Sequence, residues 1–361
     1  MSASNPIPPA RAWADIDLGA LVANARTVLS VSGSRLLPMV KANAYGIGAV
    51  EAVRALEAVD PWGFGVATTA EGVVLRRGGI RRPILVCSPL TVATADECIK
   101  EELRPVIGDL PGLQLWLARG DRPFHVEIDT GMSRLGFSWR DRSLLAEAAG
   151  LLAKAEGWEG IFTHFHSADL DLATVQTQWH RFMQVRTTLP SRQVLVHAAN
   201  SAAALRGRAF AGDLVRPGLY LYGGAVHEGP PPRTVVRLRA PVVATRRLEA
   251  GDTVSYGATW QAPAPTNVVT LAIGYADGLL RSLGAGGRVE LQGAIRPIVG
   301  RITMDFTMVD VGEEAVPLGA VATLYGGAIS LETQAAAAGT ISYELLTALG
   351  TRVSRRYGGA E

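Results

Sequence analysis

Lys41 ends the apolar run Pro38-Met39-Val40 and is followed by small residues, a tyrosine and the Gly46 turn. A lysine held against an apolar wall loses proton affinity, and a neutral amine can attack an aldehyde to form a Schiff base. A lone lysine at a strand end is ordinarily a snorkelling side chain, so its meaning depends on its company. Four other polar sets close apolar runs: Asp129-Thr130-Gly131-Met132-Ser133-Arg134, Thr163-His164-Phe165-His166, Asn200-Ser201 and Arg216-Pro217-Gly218. A serine among small residues and a glycine with free N–H groups suit a phosphate. A Schiff-base lysine, a phosphate cradle and an arginine together point to pyridoxal phosphate, whose ring nitrogen meets an aspartate or an arginine.

These residues need a scaffold that gathers strand ends on one face. Short apolar runs at 36–42, 62–68, 83–88, 103–108, 124–129, 158–164, 193–198 and 213–216 alternate with helical stretches. Val50, Val53, Leu56 and Val59 mark one helical apolar face, and 143–156 has helical composition and period. Eight strands alternating with helices predict an α/β chain that begins with a (β/α)8 TIM-type barrel, whose site lies at the C-terminal strand ends. An open doubly wound sheet has the same local pattern, but no early strand is followed by the Gly-rich dinucleotide turn. After Gly224 a Pro/Gly loop at 227–232 leads into short alternating runs at 234–238, 289–291 and 321–324, separated by turns such as Gly251-Asp252 and Gly286-Gly287. This texture predicts a mainly antiparallel β domain with short helices near 335–338 and 342–349. The expected division is 12–234 for the barrel and 235–361 for the β domain, with 1–11 an added strand of the latter.

A chain of 361 residues fits one barrel-sized domain plus a smaller one. The formal net charge is +2, from Lys+Arg 35 against Asp+Glu 33, and no basic block tracks a nucleic-acid backbone. No apolar run reaches spanning length and no leader pattern precedes 12, so a cytoplasmic protein with neither nucleic-acid nor membrane partners is expected. Cys87 and Cys98 match no zinc spacing and are expected as core fillers, and no metal site is expected.

The ordered motifs Val40-Lys41-Ala42-Asn43-Ala44-Tyr45-Gly46, Asp129-Thr130-Gly131-Met132-Ser133-Arg134-Leu135-Gly136, Thr163-His164-Phe165, Asn200-Ser201 and Val215-Arg216-Pro217-Gly218 resemble those of the bacterial alanine racemases, fold-type III pyridoxal-phosphate enzymes. Val254-Ser255-Tyr256-Gly257-Ala258, Gly274-Tyr275-Ala276-Asp277-Gly278 and Gly300-Arg301-Ile302-Thr303-Met304-Asp305 extend the resemblance over nearly the whole chain. It implies interconversion of L-alanine and D-alanine by two bases, Lys41 on one face of the α-carbon and Tyr256 of a partner subunit on the other. A tyrosine titrates near ~10 unperturbed, so a phenolate base needs stabilising. The resemblance assigns that to His164 and Arg216, with Arg216 also facing the cofactor's ring nitrogen. It places Arg134 on the cofactor's phenolic oxygen and the substrate carboxylate. Tyr45, Asn200, Ser201, Gly218, Leu219 and Tyr343 fall to the cofactor, most of them around its phosphate, and Tyr275, Met304 and Asp305 to the substrate pocket. A head-to-tail homodimer with shared sites follows. His166 receives no role.

Two positions depart from the pattern. Many relatives carry a lysine, often carbamylated, where this chain has Glu127, and a fixed carboxylate there is expected to orient Arg134 directly. Thr303 stands where several relatives have cysteine. Among enzymes on the same scaffold, decarboxylases set a glutamate at the ring nitrogen, which Arg216 argues against. Broader-specificity racemases open the pocket, whereas Tyr275 and Tyr343 favour a small side chain. A non-catalytic pyridoxal-phosphate carrier lacks the β domain that brings Tyr256.

Overall fold

The computed structural model describes residues 10–120, 122–226 and 229–358. Eight parallel strands follow one another round one sheet: Arg35–Leu36, Phe64–Val66, Ile84–Val86, Arg104–Ile107, Phe124–Asp129, Trp158–Phe162, Leu195–His197 and Leu214–Val215; a ninth, Phe137–Ser138, pairs parallel with the end of Phe124–Asp129. The eighth pairs with the first, Leu214 opposite Arg35, and Met39, just past the first, bridges Gly65 within the second, so the sheet closes on itself. Closure leaves no exposed sheet edge, which explains why strands this short persist. Leu37, Trp62, Leu85, Val106, Phe162 and Leu214 fill the interior, and the larger apolar cluster lies between strands and helices.

The helices begin where short polar side chains can accept backbone N–H groups. Thr68 and Glu71 form a capping box before Thr69–Arg77, and Asp109, Asp141, Asp171 and Asn200 cap Leu110–Leu117, Arg142–Leu152, Leu172–Thr188 and Ser201–Leu205. Each returns the chain to the next strand's N-terminal end, so every loop after a strand opens on the same mouth.

The second sheet is built around the long strand Val236–Leu248, which pairs antiparallel with Thr266–Leu271 at one end and with Val321–Tyr325 at the other. A register shift between Val242 and Ala244 lets one strand serve both neighbours. The strand added to this sheet is Trp13–Asp17, antiparallel to Val236–Leu248 and parallel to Ser354–Gly358. The sequence assigned that stretch to the barrel and placed the extra strand at 1–11. Residues 1–9 lie outside the described residues, and Ala10 and Arg11 are not strand. Trp13, Ala14 and Ile16 are buried, and apolar side chains alone do not say which sheet covers them. Part of the loop expected at 227–232, His227 and Glu228, also lies outside the described residues. No helix among the described residues is long and apolar enough to cross a membrane.

Candidate active site

The first barrel strand was expected to continue to Ala42. Instead the chain leaves pairing at Met39, and Ala42, Asn43, Ala44 and Tyr45 all take left-handed backbone angles, with φ of 52°, 54°, 51° and 53°. Each such residue costs about 1–2 kcal/mol when it carries a Cβ, so the run needs support from outside. Glu71 supplies one hold, its Oε1 accepting from the Ala42 N–H at 2.6 Å. Arg355 supplies another: Nε and Nη2 donate to the Gly46 carbonyl at 3.0 and 2.8 Å, Nη2 also to Leu349, and Nη1 to Gly350 and Val353. Gly46 has no room for a side chain, since a Cβ would lie 2.2 Å from the Leu346 carbonyl oxygen. The turn that presents Lys41 is therefore clamped by the last strand of the chain.

Lys41 opens into a cavity of about 400 Å³ at the barrel mouth. Its walls include Tyr45, Arg134, His164, Asn200, Ser201, Arg216, Gly218, Leu219 and Tyr343, so ten residues singled out from the sequence meet there. Opposite the lysine, Ser201 Oγ accepts from the Gly218 N–H at 2.9 Å, so that N–H is partly engaged rather than free. A Cβ on residue 218 would meet the Tyr45 hydroxyl at 2.2 Å, and the missing side chain leaves a cradle rimmed by hydroxyls. Tyr45 is held by stacking on Tyr222, with ring centroids 4.5 Å apart. Hydroxyls and backbone beside a lysine fit a phosphorylated aldehyde such as pyridoxal phosphate.

Arg216 is buried beneath this cavity. Its Nη2 donates to the carbonyls of Thr163 at 2.8 Å and Ala198 at 3.1 Å and lies 3.4 Å from His164 Nδ1, while Nη1 lies 2.7 Å from His197 Nδ1. Burial lowers its pKa to about 10, and burial, then Arg216, Arg134 and Lys41, lower that of His164 to about 3. His164 is therefore neutral at physiological pH.

The expected contact between Glu127 and Arg134 is absent. Both line the cavity, but no hydrogen bond or ion pair joins them among the described residues. Burial raises the Glu127 pKa, and Arg216 ahead of Arg134 pulls it back. Cys87 is no plain core filler, because it lines the cavity wall, and burial pushes its thiol up to about 11. His166 faces solvent and bonds Ser167.

The β-domain residues stand apart from this cavity. Tyr256 is 71% exposed and, with Met304 and Asp305, lines a second hollow of about 600 Å³. Thr303 lines it too, its hydroxyl spent on the Phe306 backbone. Tyr275 is held beside it by its N–H on the Thr303 carbonyl at 3.0 Å, an approach that needs Gly274, whose Cβ would meet that oxygen at 2.4 Å. Arg352 donates to Asp305 at 2.7 Å and forms an ion pair with the buried Asp277 at 3.1 Å. One chain therefore does not bring Tyr256 to Lys41.

Two residues of this region escaped sequence reasoning. His125 and His197 are fully buried inside the barrel, at 0% exposure. A histidine in an apolar strand was the available signal, and it does not say what the ring meets. Both have pKa values lowered, by burial first. Unfolded histidines bind protons near pH ~6.5, while these and His164 bind them less readily when folded, so near and below that pH the unfolded state holds more protons and stability falls as pH falls. Glu127 acts in the opposite sense, because its raised pKa lets the folded state bind a proton first. At fixed protein and cofactor concentration, the urea midpoint should drop between about pH 7 and about pH 5, with net proton uptake on unfolding. A midpoint unchanged over that range would contradict neutral buried histidines.

A closed barrel with a lysine facing a hydroxyl-lined cradle, followed by an antiparallel β domain, defines the two-domain barrel class of lysine enzymes. The model for "Alanine racemase, N-terminal domain" matches residues 16–226, and that for "Alanine racemase, C-terminal domain" matches 235–357. The chain belongs to the alanine racemase family. It is 38% identical over 356 residues to the alanine racemase of Deinococcus radiodurans, covering 96% of this chain and 99% of that protein. Among solved structures, the Bartonella henselae alanine racemase with covalently bound pyridoxal phosphate matches with a TM-score of 0.90 at 31% identity, covering 97% of this chain and 100% of that one. The E. faecalis alanine racemase matches with a TM-score of 0.88 at 32% identity, over 96% and 98%.

Proposed function

We propose that this chain interconverts L-alanine and D-alanine with pyridoxal phosphate by a two-base mechanism, the D-alanine serving peptidoglycan. The observation that carries the reading is the meeting of Lys41, His164, Arg216 and the Ser201–Gly218–Tyr45 cradle in one cavity. The B. henselae relative, with its cofactor covalently bound, supports the choice of pyridoxal phosphate. Once bound, the cofactor acts as an electron sink that acidifies the α-proton of the amino acid. Lys41 holds the cofactor and, when released, takes or returns the proton on one face of the α-carbon. Tyr45, Ser201, Gly218, Leu219 and Tyr343 would hold the phosphate, with Asn200 capping the Ser201 helix, and Arg134 would bind the substrate carboxylate.

Arg216 has both Nη groups committed, which leaves its Nε edge for the ring nitrogen. A guanidinium does not readily give up a proton, so that nitrogen stays largely unprotonated and proton return is favoured over transamination. His164 turns Nδ1 toward an arginine N–H, so as a neutral ring it carries its proton on Nε2. That N–H can stabilise the phenolate of Tyr256, arriving from the partner of a head-to-tail homodimer with Tyr275, Met304 and Asp305. The exposed apolar surface of Tyr256, Met304 and Phe306 supports such a partner. The proposed division of the chain between 234 and 235 is supported by a second family model that begins at 235. A cytoplasmic location belongs to the same proposal.

A racemisation assay over a panel of amino acids tests the reading with the full chain and added cofactor. Alanine should be turned over fastest, with serine well behind. Equal rates on serine and larger substrates would indicate a broader-specificity racemase. Cofactor binding without racemisation of any amino acid would indicate a carrier.

A further inference from the structure

A chain of polar groups crosses the barrel interior from Arg216 at the mouth to Glu159 at the opposite rim. Arg216 Nη1 lies 2.7 Å from His197 Nδ1, and His197 Nε2 lies 2.8 Å from His125 Nδ1. His125 Nε2 faces Glu159 Oε2 at 3.4 Å with no closer partner, and Arg104 Nε donates to that same oxygen at 2.7 Å. The rings are walled by Phe162, stacked on His197 at 4.8 Å, and by Trp62, 5.3 Å from His125. Gly160 makes the space, since a Cβ there would meet His125 Nδ1 at 2.4 Å.

The chemistry of the ends sets one direction for the whole chain. A guanidinium only donates, so His197 Nδ1 accepts and its proton sits on Nε2. That proton goes to His125 Nδ1, which leaves the His125 proton on Nε2, pointing at a carboxylate that only accepts. The reverse direction would set an N–H against an N–H at Arg216 and a lone pair against a carboxylate at Glu159. Burial disfavours the charged form of both rings, and a neutral ring has one proton to place.

We propose that His197, His125 and Glu159 are positioning residues: two hydrogen bonds, Arg216 to His197 and His197 to His125, and the 3.4 Å contact of His125 with the Glu159 carboxylate run one way, give Arg216 a permanent acceptor and fix the guanidinium's orientation beneath the active-site cavity. The consequence for turnover rests on the reading that Arg216 faces the cofactor ring. None of the three lines the cavity, so they act through Arg216.

The chain is tested directly by nitrogen NMR of the holoenzyme labelled at its histidines. Both rings should be neutral with the proton on Nε2, and a proton on Nδ1 of His197, or a doubly protonated ring, overturns the proposal. This readout does not depend on activity, so it stands even if the racemase reading fails. In turnover, His197→Leu should lower kcat about 100-fold with KM for alanine within about threefold, because a buried donor loses its partner while substrate contacts remain. The visible band of the bound cofactor should shift as well. His197→Asn, whose Oδ1 takes the place of Nδ1, should recover kcat to within about tenfold of the parent. Equal impairment of the two variants, or a parental spectrum and kcat in His197→Leu, overturns the positioning role. Because Glu159 is partly exposed at the rim, its variants should fold: Glu159→Gln keeps an acceptor and should stay within about twofold, whereas Glu159→Leu should lose about tenfold. Indistinguishable Glu159 variants would remove that residue from the chain.

Discussion

Replacing Lys41 with alanine should lower kcat for L-alanine and for D-alanine together, by at least about 10⁴-fold, since one change removes both the covalent hold on the cofactor and one of two bases. The size follows from the cavity. Lys41 is the only lysine on its walls, and the chain's other lysines, exposed Lys100 at a helix end and exposed Lys154 in the turn after a helix, do not line it. No other side chain there can form a Schiff base. The check is the visible absorbance of the bound cofactor and its loss on borohydride reduction, measured beside racemisation in both directions. A variant that keeps a reducible covalent cofactor, or that still racemises one enantiomer at a tenth of the parental rate, would move the anchor to another residue.

Tyr256→Ala should mainly damage proton abstraction from L-alanine, leaving cofactor binding intact, because Tyr256 is absent from the cavity that Lys41 lines. Mixing tests whether a second chain supplies it. In a two-fold dimer, a heterodimer of Lys41→Ala and Tyr256→Ala chains has one site with both defects and one with neither. Random exchange of the two inactive proteins should therefore restore about one quarter of parental activity. If each site were built within one chain, no mixture would recover activity. Equal loss for both enantiomers in Tyr256→Ala alone would reverse or dissolve the assignment of faces.

The legible part of this protein was the part written in local chemistry. Apolar runs of strand length, separated by stretches of helical period, predict eight strand-helix units, and polar residues at the run ends predict which side chains share a mouth. Position along a strand is a local property, since side chains alternate and the strand's end is marked by its turn. The same reasoning failed at Ala42 to Tyr45, where nothing nearby announces four left-handed residues. Their support comes from Glu71 and from Arg355, some three hundred positions away.

The strand Trp13–Asp17 was misplaced for a related reason: its pattern says that one face is buried, and only the return of Ser354–Gly358 shows against which sheet. Glu127 matched an expected charge but not an expected contact, because charge is carried by residue type and distance by packing. By itself, then, the sequence determined the order of the barrel elements and the gathering at strand ends of the polar side chains that share one cavity. The tertiary structure alone decided the left-handed run that follows Lys41 and the imidazole chain behind Arg216. Those features depend on barrel closure and on which distant carbonyls, rings and carboxylates closure brings within hydrogen-bond reach, and no local spacing encodes that.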